Sequence, residues 1–308
     1  MKKLFIFVLA AIGMMAAACS SESPVTEVSE LEADGKMAVR LLIKAGVAIE
    51  TRASLAANGK ALTDLYVFDY DKTTGALLQV LHQTSDAEDF AEPLLTLDYG
   101  THVLKLIASR SEAPFLRDNS GSVCGLATNT ITDSQTLSAT PSSFHTVKTS
   151  DTFGAVTELE VKAGGSSTVN VTLDRYVAKL ELLPTDVFPD DCSTIDVELP
   201  EHSGIDLNTM DVTTAVNNHR VSDVSPLAGR TDVPVSYFFL VPKSGTSIDV
   251  TLTMNRTAGA PYSKIIVEDV PLNRNRTTTI RGQFYNRAQG VSISIADTWE
   301  TEKNTIDI

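Results

Sequence analysis

Thr157-Glu158-Leu159-Glu160-Val161, Lys162-Ala163-Gly164-Gly165-Ser166, Ser167-Thr168-Val169-Asn170-Val171-Thr172-Leu173 is two period-2 runs around a glycine pair. Alternation of apolar and polar residues puts one kind of side chain on each face of a strand, and Gly-Gly between such runs signals a hairpin. The same grammar extends upstream. Met37, Val39, Leu41 and Ile43 alternate with Ala38, Arg40, Leu42 and Lys44, and Leu62 to Tyr70 turns through Asp71-Lys72-Thr73-Thr74-Gly75 into Ala76 to His82. Tyr99 to Ser109 is a third apolar segment. Downstream, Arg175 to Leu183, Thr194 to Leu199, Val235 to Val241, Ser247 to Met254, Lys264 to Val270, Thr277 to Phe284 and Val291 to Ile295 repeat the pattern. Pro242 and Pro271 fall at strand ends, where a missing amide donor is tolerated. No stretch has the apolar spacing of a long amphipathic helix. Glu112 to Asp151, with Pro114, Gly121, Pro141 and many Ser and Thr, reads as loops or a short helix. The sequence predicts an all-β protein of two tandem β-sandwich domains, 37–173 and 174–308, with short helical or loop insertions.

The amino terminus carries a different signal. Lys2 and Lys3, an apolar run from Leu4 to Met15 and Ala16-Ala17-Ala18 before Cys19 form a secretory signal, residues 1–18, of the lipoprotein type. In that pathway the Cys19 thiol takes a diacylglycerol, and the new amino terminus is acylated after cleavage. Several acyl chains anchor stably, because each buried methylene contributes about 0.8 kcal/mol. The expected location is the outer membrane surface, reached through lipid on Cys19. Residues 19–36 are rich in Ser, Glu, Ala and Thr and read as a tether. The formal charge of -14 disfavours nucleic acid as a partner.

Catalytic patterns are scarce. His82, His102, His145, His202 and His219 are scattered, none in a His-Glu-x-x-His run, and each reads as a surface or loop residue. Neither a Gly-x-Ser-x-Gly elbow nor a phosphate-binding loop occurs. Asp69 with Asp71 reads as a solvated strand end, and Asp190-Asp191 as a loop. The expectation is a non-enzyme with no cofactor and no metal. Trp299 is the sole tryptophan, so an aromatic platform for glycans is not evident. Cys124 and Cys192 are free to pair in an oxidising compartment or to stay reduced.

Three features occur in a set order after the lipid signal. Arg40 to Lys44, Glu50-Thr51-Arg52-Ala53-Ser54 and Leu62 to Asp69 give a strand, an arginine in a linker and a second strand. Arg175 to Leu182 opens the second half, and Pro271-Leu272-Asn273-Arg274-Asn275-Arg276 leads into a late strand before Trp299 and a short tail. This order resembles the fimbrillins, lipoprotein precursors of the type V pili of Gram-negative anaerobes. The resemblance implies two transthyretin-like sandwiches and proteolytic processing between Arg52 and Ala53. It further implies a removable strand, Met37 to Ala48, and a donor tail, Glu300 to Ile308, that fills the vacated groove of another fimbrial subunit. Among Thr301 to Ile308 only Ile306 and Ile308 are large and apolar, a thin filling, so Val291 to Ile295 is the alternative donor. Stalk, anchor and tip roles stay open. The alternative is a monomeric surface lipoprotein that binds a glycan or host protein through loops such as Glu112 to Asp151.

Overall fold

The alternating segments become strands, and the sheets they form are folded over on themselves. The computed structural model describes residues 35–45, 56–57, 60–111, 113–127, 130–165, 168–286, 291–296 and 306–307. Among these, the helical elements are two short 3₁₀ turns, Ser134–Thr136 and Ser225–Leu227. The described residues are nearly all β.

The amino-terminal sheet has eight strands. Its order is Thr130–Asp133, Leu77–Thr84, Asp64–Asp71, Gly100–Ser109, Thr152–Val161, Thr168–Arg175, Lys36–Ala45, Leu94–Asp98. Met37, Leu41, Leu95 and Leu173 from one arm pack with Leu65, Leu81, Leu104 and Phe153 from the other in a single apolar cluster. The two arms meet at a corner where only two residue pairs join, Phe153 with Arg175 and Gly154 with Asp174. The hairpin expected around Gly164-Gly165 is therefore not a ladder. Beyond the corner Thr152–Val161 stays with Gly100–Ser109, while Thr168–Arg175 crosses to the other arm and pairs in parallel with Lys36–Ala45. Gly154 allows this corner, since a Cβ there would lie 2.8 Å from the Tyr176 ring.

The carboxy-terminal sheet repeats the plan. Its order is Ser263–Leu272, Thr246–Arg256, Cys192–His202, Val235–Leu240, Val177–Pro184, Thr277–Gly282, Val291–Ala296. Here a single pair, His202 with Leu240, joins the arms around a core that includes Leu180, Phe188, Val197, Phe239 and Leu252. In each half the first strand runs parallel to a late one: Lys36–Ala45 beside Thr168–Arg175, and Val177–Pro184 beside Thr277–Gly282.

Between the halves lies a five-stranded sheet drawn from both, in the order Asp211–Val212, Gly204–Asp206, Ser143–His145, Phe115–Arg117, Val123–Cys124. Part of the segment read as loop thus forms strands, too short for periodicity to register, and Ser134–Thr136 is the short helical turn allowed there. Tyr66, Phe68, Phe144, Tyr176, Ile205 and Phe238 pack into a third apolar cluster beside it. Arg175, buried over the Phe153 ring, donates to Asp151 at 3.1 Å and to Asn275 at 2.8 Å. Arg274 lies 3.8 Å from the centre of the Tyr176 ring and bonds the Val241 carbonyl and Asp211. Arg175 and Arg274, both singled out in the sequence, thus meet at this seam.

Candidate functional site

The site of interest is the place of the leading strand, Lys36–Ala45. Its alternation resolves as burial: Met37, Val39, Leu41 and Ile43 all lie in the amino-terminal core, with Val39 and Leu41 at 0 % exposure. The strand is flanked on both edges. On one side it runs parallel to Thr168–Arg175, from Arg40 opposite Thr168 to Ala45 opposite Leu173. On the other it is antiparallel to Leu94–Asp98, and beyond that ladder the amides of Leu41 and Ile43 reach the carbonyls of Pro93 and Ala91, both at 3.0 Å. Arg40 sits within the strand, opposite Leu94 on one side and Thr168 on the other.

Four buried apolar side chains at about 1.5–3 kcal/mol each contribute roughly 6–12 kcal/mol. That matches the total stability of an ordinary domain, about 5–15 kcal/mol. The strand does not leave spontaneously, and its removal creates an apolar groove between two unpaired strand edges that another strand must fill.

The flanking strand Leu94–Asp98 is itself held by a buried histidine. His102 Nδ1 lies 2.7 Å from Asp69 Oδ1 and its Nε2 lies 2.8 Å from the Asp98 carbonyl oxygen. Gln79 donates to the second Asp69 oxygen at 3.1 Å, and Lys36 at the start of the leading strand pairs with the Asp98 carboxylate at 3.3 Å. The hydrogen bond to Asp69, above all, raises the His102 pKa. The expectation that Asp69 is solvated and that His82 and His102 are superficial is corrected here: Asp69 is 1 % and His102 3 % exposed, and His82 is buried against Asp64 at 2.8 Å, whereas His219 is exposed as expected. Asp71 does sit in the turn, where its carboxylate accepts from the Thr74 hydroxyl and amide and is held below the usual carboxylate range.

The other predicted site residues are placed unevenly. Cys19, Arg52, Ala53, Trp299 and most of Glu300 to Ile308 lie outside the described residues. Of the tail, Ile306–Asp307 is described, and it pairs in parallel with Val235 and Ser236 of its own chain. Val291–Ala296 is a strand at the sheet margin, antiparallel to Thr277–Gly282. Cys124 lies in the seam cluster and Cys192 in the carboxy-terminal core. The structure does not bring them together; both are buried free thiols whose pKa burial pushes up. Two grooves flank Ala215–Asp223. One, of about 460 Å³, is lined by Thr146, Lys148, Asn218, Arg220 and Tyr237; the other, of about 740 Å³, by Glu198, Asn217, His219, Asp249 and Asp269.

Comparison with known proteins follows from this architecture. The chain belongs to a family of unknown function, DUF6562, which it matches over residues 136–308. No curated protein matches the sequence. Solved structures that share the fold include a candidate adhesin from Bacteroides ovatus, at 13% identity and a TM-score of 0.51, over 85% of this chain and 94% of that one. A candidate polysaccharide-binding protein from Bacteroides thetaiotaomicron also has a TM-score of 0.51, at 9% identity, over 86% of this chain and 99% of that one. The fimbrial anchor protein Mfa2 from Porphyromonas gingivalis is similar at 13% identity with a TM-score of 0.44, over 85% of this chain and 97% of that one. The two neighbours with TM-scores of 0.51 thus share the fold and are described as an adhesin and a polysaccharide-binding protein.

Proposed function

We propose that the protein is a non-enzymatic fimbrial subunit that contributes to adhesion at the cell surface. On this reading it is exported as a lipoprotein through Cys19 and built of two transthyretin-like sandwich domains meeting near Asp174. Cleavage between Arg52 and Ala53 releases the leading strand with its lipid, and a strand of another fimbrial subunit takes its place. One observation carries the reading: Lys36–Ala45 fills an apolar groove with ladder partners on both edges, and Arg52 follows it in sequence ahead of the strand Asp64–Asp71. Strands inserted head to tail generate an open filament.

The test is brief trypsin treatment of the folded chain from Ser20 onward, with the new amino terminus and the oligomeric state read together. A single early cut before Ala53, followed by concentration-dependent multimers that resist mild denaturant, is the expected result. Resistance at Arg52, or a cut that leaves a stable monomer, overturns strand replacement.

A second reading, a monomeric surface lipoprotein that captures a glycan or host protein, is favoured by the two grooves beside Ala215–Asp223. Their Asn, His, Asp and Glu side chains suit sugar hydroxyls. Retention of the uncut monomer on a glycan column supports it.

A further inference from the structure

Ala215–Asp223 is a nine-residue strand at the margin of the carboxy-terminal sheet. Along its whole length it pairs on one side with Cys192–His202, from Ala215 opposite His202 to Asp223 opposite Thr194. Among the described residues no strand lies on its other side. The His219 amide donates to the Asn218 side chain of its own strand at 2.9 Å, a local partner that a neighbouring strand can displace. Val216 and Val221 are 59 % and 55 % exposed, and at five residues' separation they stand on opposite faces. A long strand edge with exposed valines is a template for a further strand.

The charges around the edge define what kind of strand it takes. The groove on the Val221 face is lined by Glu198, Asp249 and Asp269, and no lysine or arginine lines it. Its histidine, His219, lies 3.3 Å from a further carboxylate, Asp196. The strand's own cation, Arg220, is neutralised by the buried Glu201, to which its Nε donates at 3.0 Å. A second copy of the chain would bring the same carboxylates and a formal charge of -14 to the edge, and is repelled.

We infer that the open edge of Ala215–Asp223 is a docking site for an extended, basic segment of a partner protein, which adds to the sheet as a further strand. Main-chain hydrogen bonds supply affinity in this mode, and alternate side chains supply specificity. Neighbouring strands lie about 4.8 Å apart. A lysine of the added strand beside His219 therefore reaches across one strand to Glu198, which stands opposite His219 on Cys192–His202. The lysine stems cover Val221 on the acidic face, while apolar side chains of the added strand cover Val216 on the other. No strand of this chain leaves its place, so the docking is independent of strand replacement at Lys36–Ala45.

The experiment uses the chain from Ser20 onward and a labelled peptide of alternating lysine and valine, as long as the strand. The expected result is saturable binding by fluorescence anisotropy that weakens as salt is raised, with amide exchange slowed in Ala215–Asp223. The same peptide with N-methyl groups on alternate residues keeps its charge but loses a row of donors, and is expected to bind at least tenfold more weakly. Glutamate in place of lysine is expected to abolish binding. Val221→Lys sets a cation on the edge at an exposed position and is expected to lower affinity for the basic peptide at least tenfold. Equal binding of the methylated or the glutamate peptide to the native chain, or protection confined to other strands, overturns the inference, and neither result depends on the variant folding. Self-association of the native chain that Val221→Lys abolishes assigns the edge to a second copy and likewise overturns it.

Discussion

The His102 ring has an acceptor at each nitrogen, the Asp69 carboxylate and the Asp98 carbonyl, and only the imidazolium donates to both. The charged groups near it are Asp69, Asp98, Asp71 and Lys36 at the far side of Asp98. Because the folded pKa is raised above the unfolded value of 6.5, the stability due to His102 is fully present below that value and is lost as pH rises through the folded pKa. Thermal melts between pH 6 and pH 9 are expected to fall steadily for the native chain and less steeply for His102→Asn. That substitution leaves Asp69 buried without its cationic partner and costs about 3–5 kcal/mol at pH 6, the usual loss on breaking a buried pair. Gly154→Ala places a methyl group 2.8 Å from the Tyr176 ring and is expected to cost about 1–3 kcal/mol in denaturant unfolding, the range for overpacking. The histidine was partly legible in the sequence. His102 is in phase with Leu104 and Leu106, and Asp69 with Leu65 and Val67, so alternation alone put both on the buried face. Their polarity hid the signal, because it takes the fold to bring the two partners, 33 residues apart, into contact.

At the scale of elements, the leading strand was fully legible, since Met37, Val39, Leu41 and Ile43 alternate without a break and all four are buried. Its flanking strand Leu94–Asp98 was not, being five residues long with Leu94 facing outward. Ala215–Asp223 also escaped sequence reading, because it pairs with one strand and is polar and mostly exposed. Parallel pairing of the leading strand with Thr168–Arg175 was beyond reach, since alternation fixes which face is buried and says nothing of which strand lies alongside. A groove built for one strand accepts that strand in trans. Once the chain has been cut after Arg52 and the leading strand displaced, a labelled peptide of residues 36–45 is expected to bind it. The same peptide carrying Leu41→Asp is expected to bind at least a hundredfold more weakly, read by fluorescence anisotropy. Equal binding of the two peptides would show that the pocket does not select the buried face.

At the scale of the molecule, the seam ties the halves into one unit. The five-stranded sheet takes strands from both halves, and Phe144, Tyr176, Ile205 and Phe238 share a cluster. Calorimetry is expected to show one transition for the native chain. Arg175→Ala removes a cation that spans Asp151 and Asn275 and is expected to split it into two, or to lower it by an amount equivalent to about 3 kcal/mol. The seam itself was hidden from the sequence. Its strands are two or three residues long, and its arginines act through partners up to 100 residues away.

The direction of the leading strand also bears on mechanics. On the proposed reading, a tether entering at Lys36 and pulled toward a membrane loads Lys36–Ala45 along its own axis, with ladders on both flanks. Such a pull shears all the ladder hydrogen bonds together instead of peeling them one by one. The rate of forced release is then set by the barrier to rupturing them at once. If the proposed cleavage occurs, an uncut subunit is thereby suited to hold under flow, and the cut converts a grip that withstands tension into a vacancy open to the next strand.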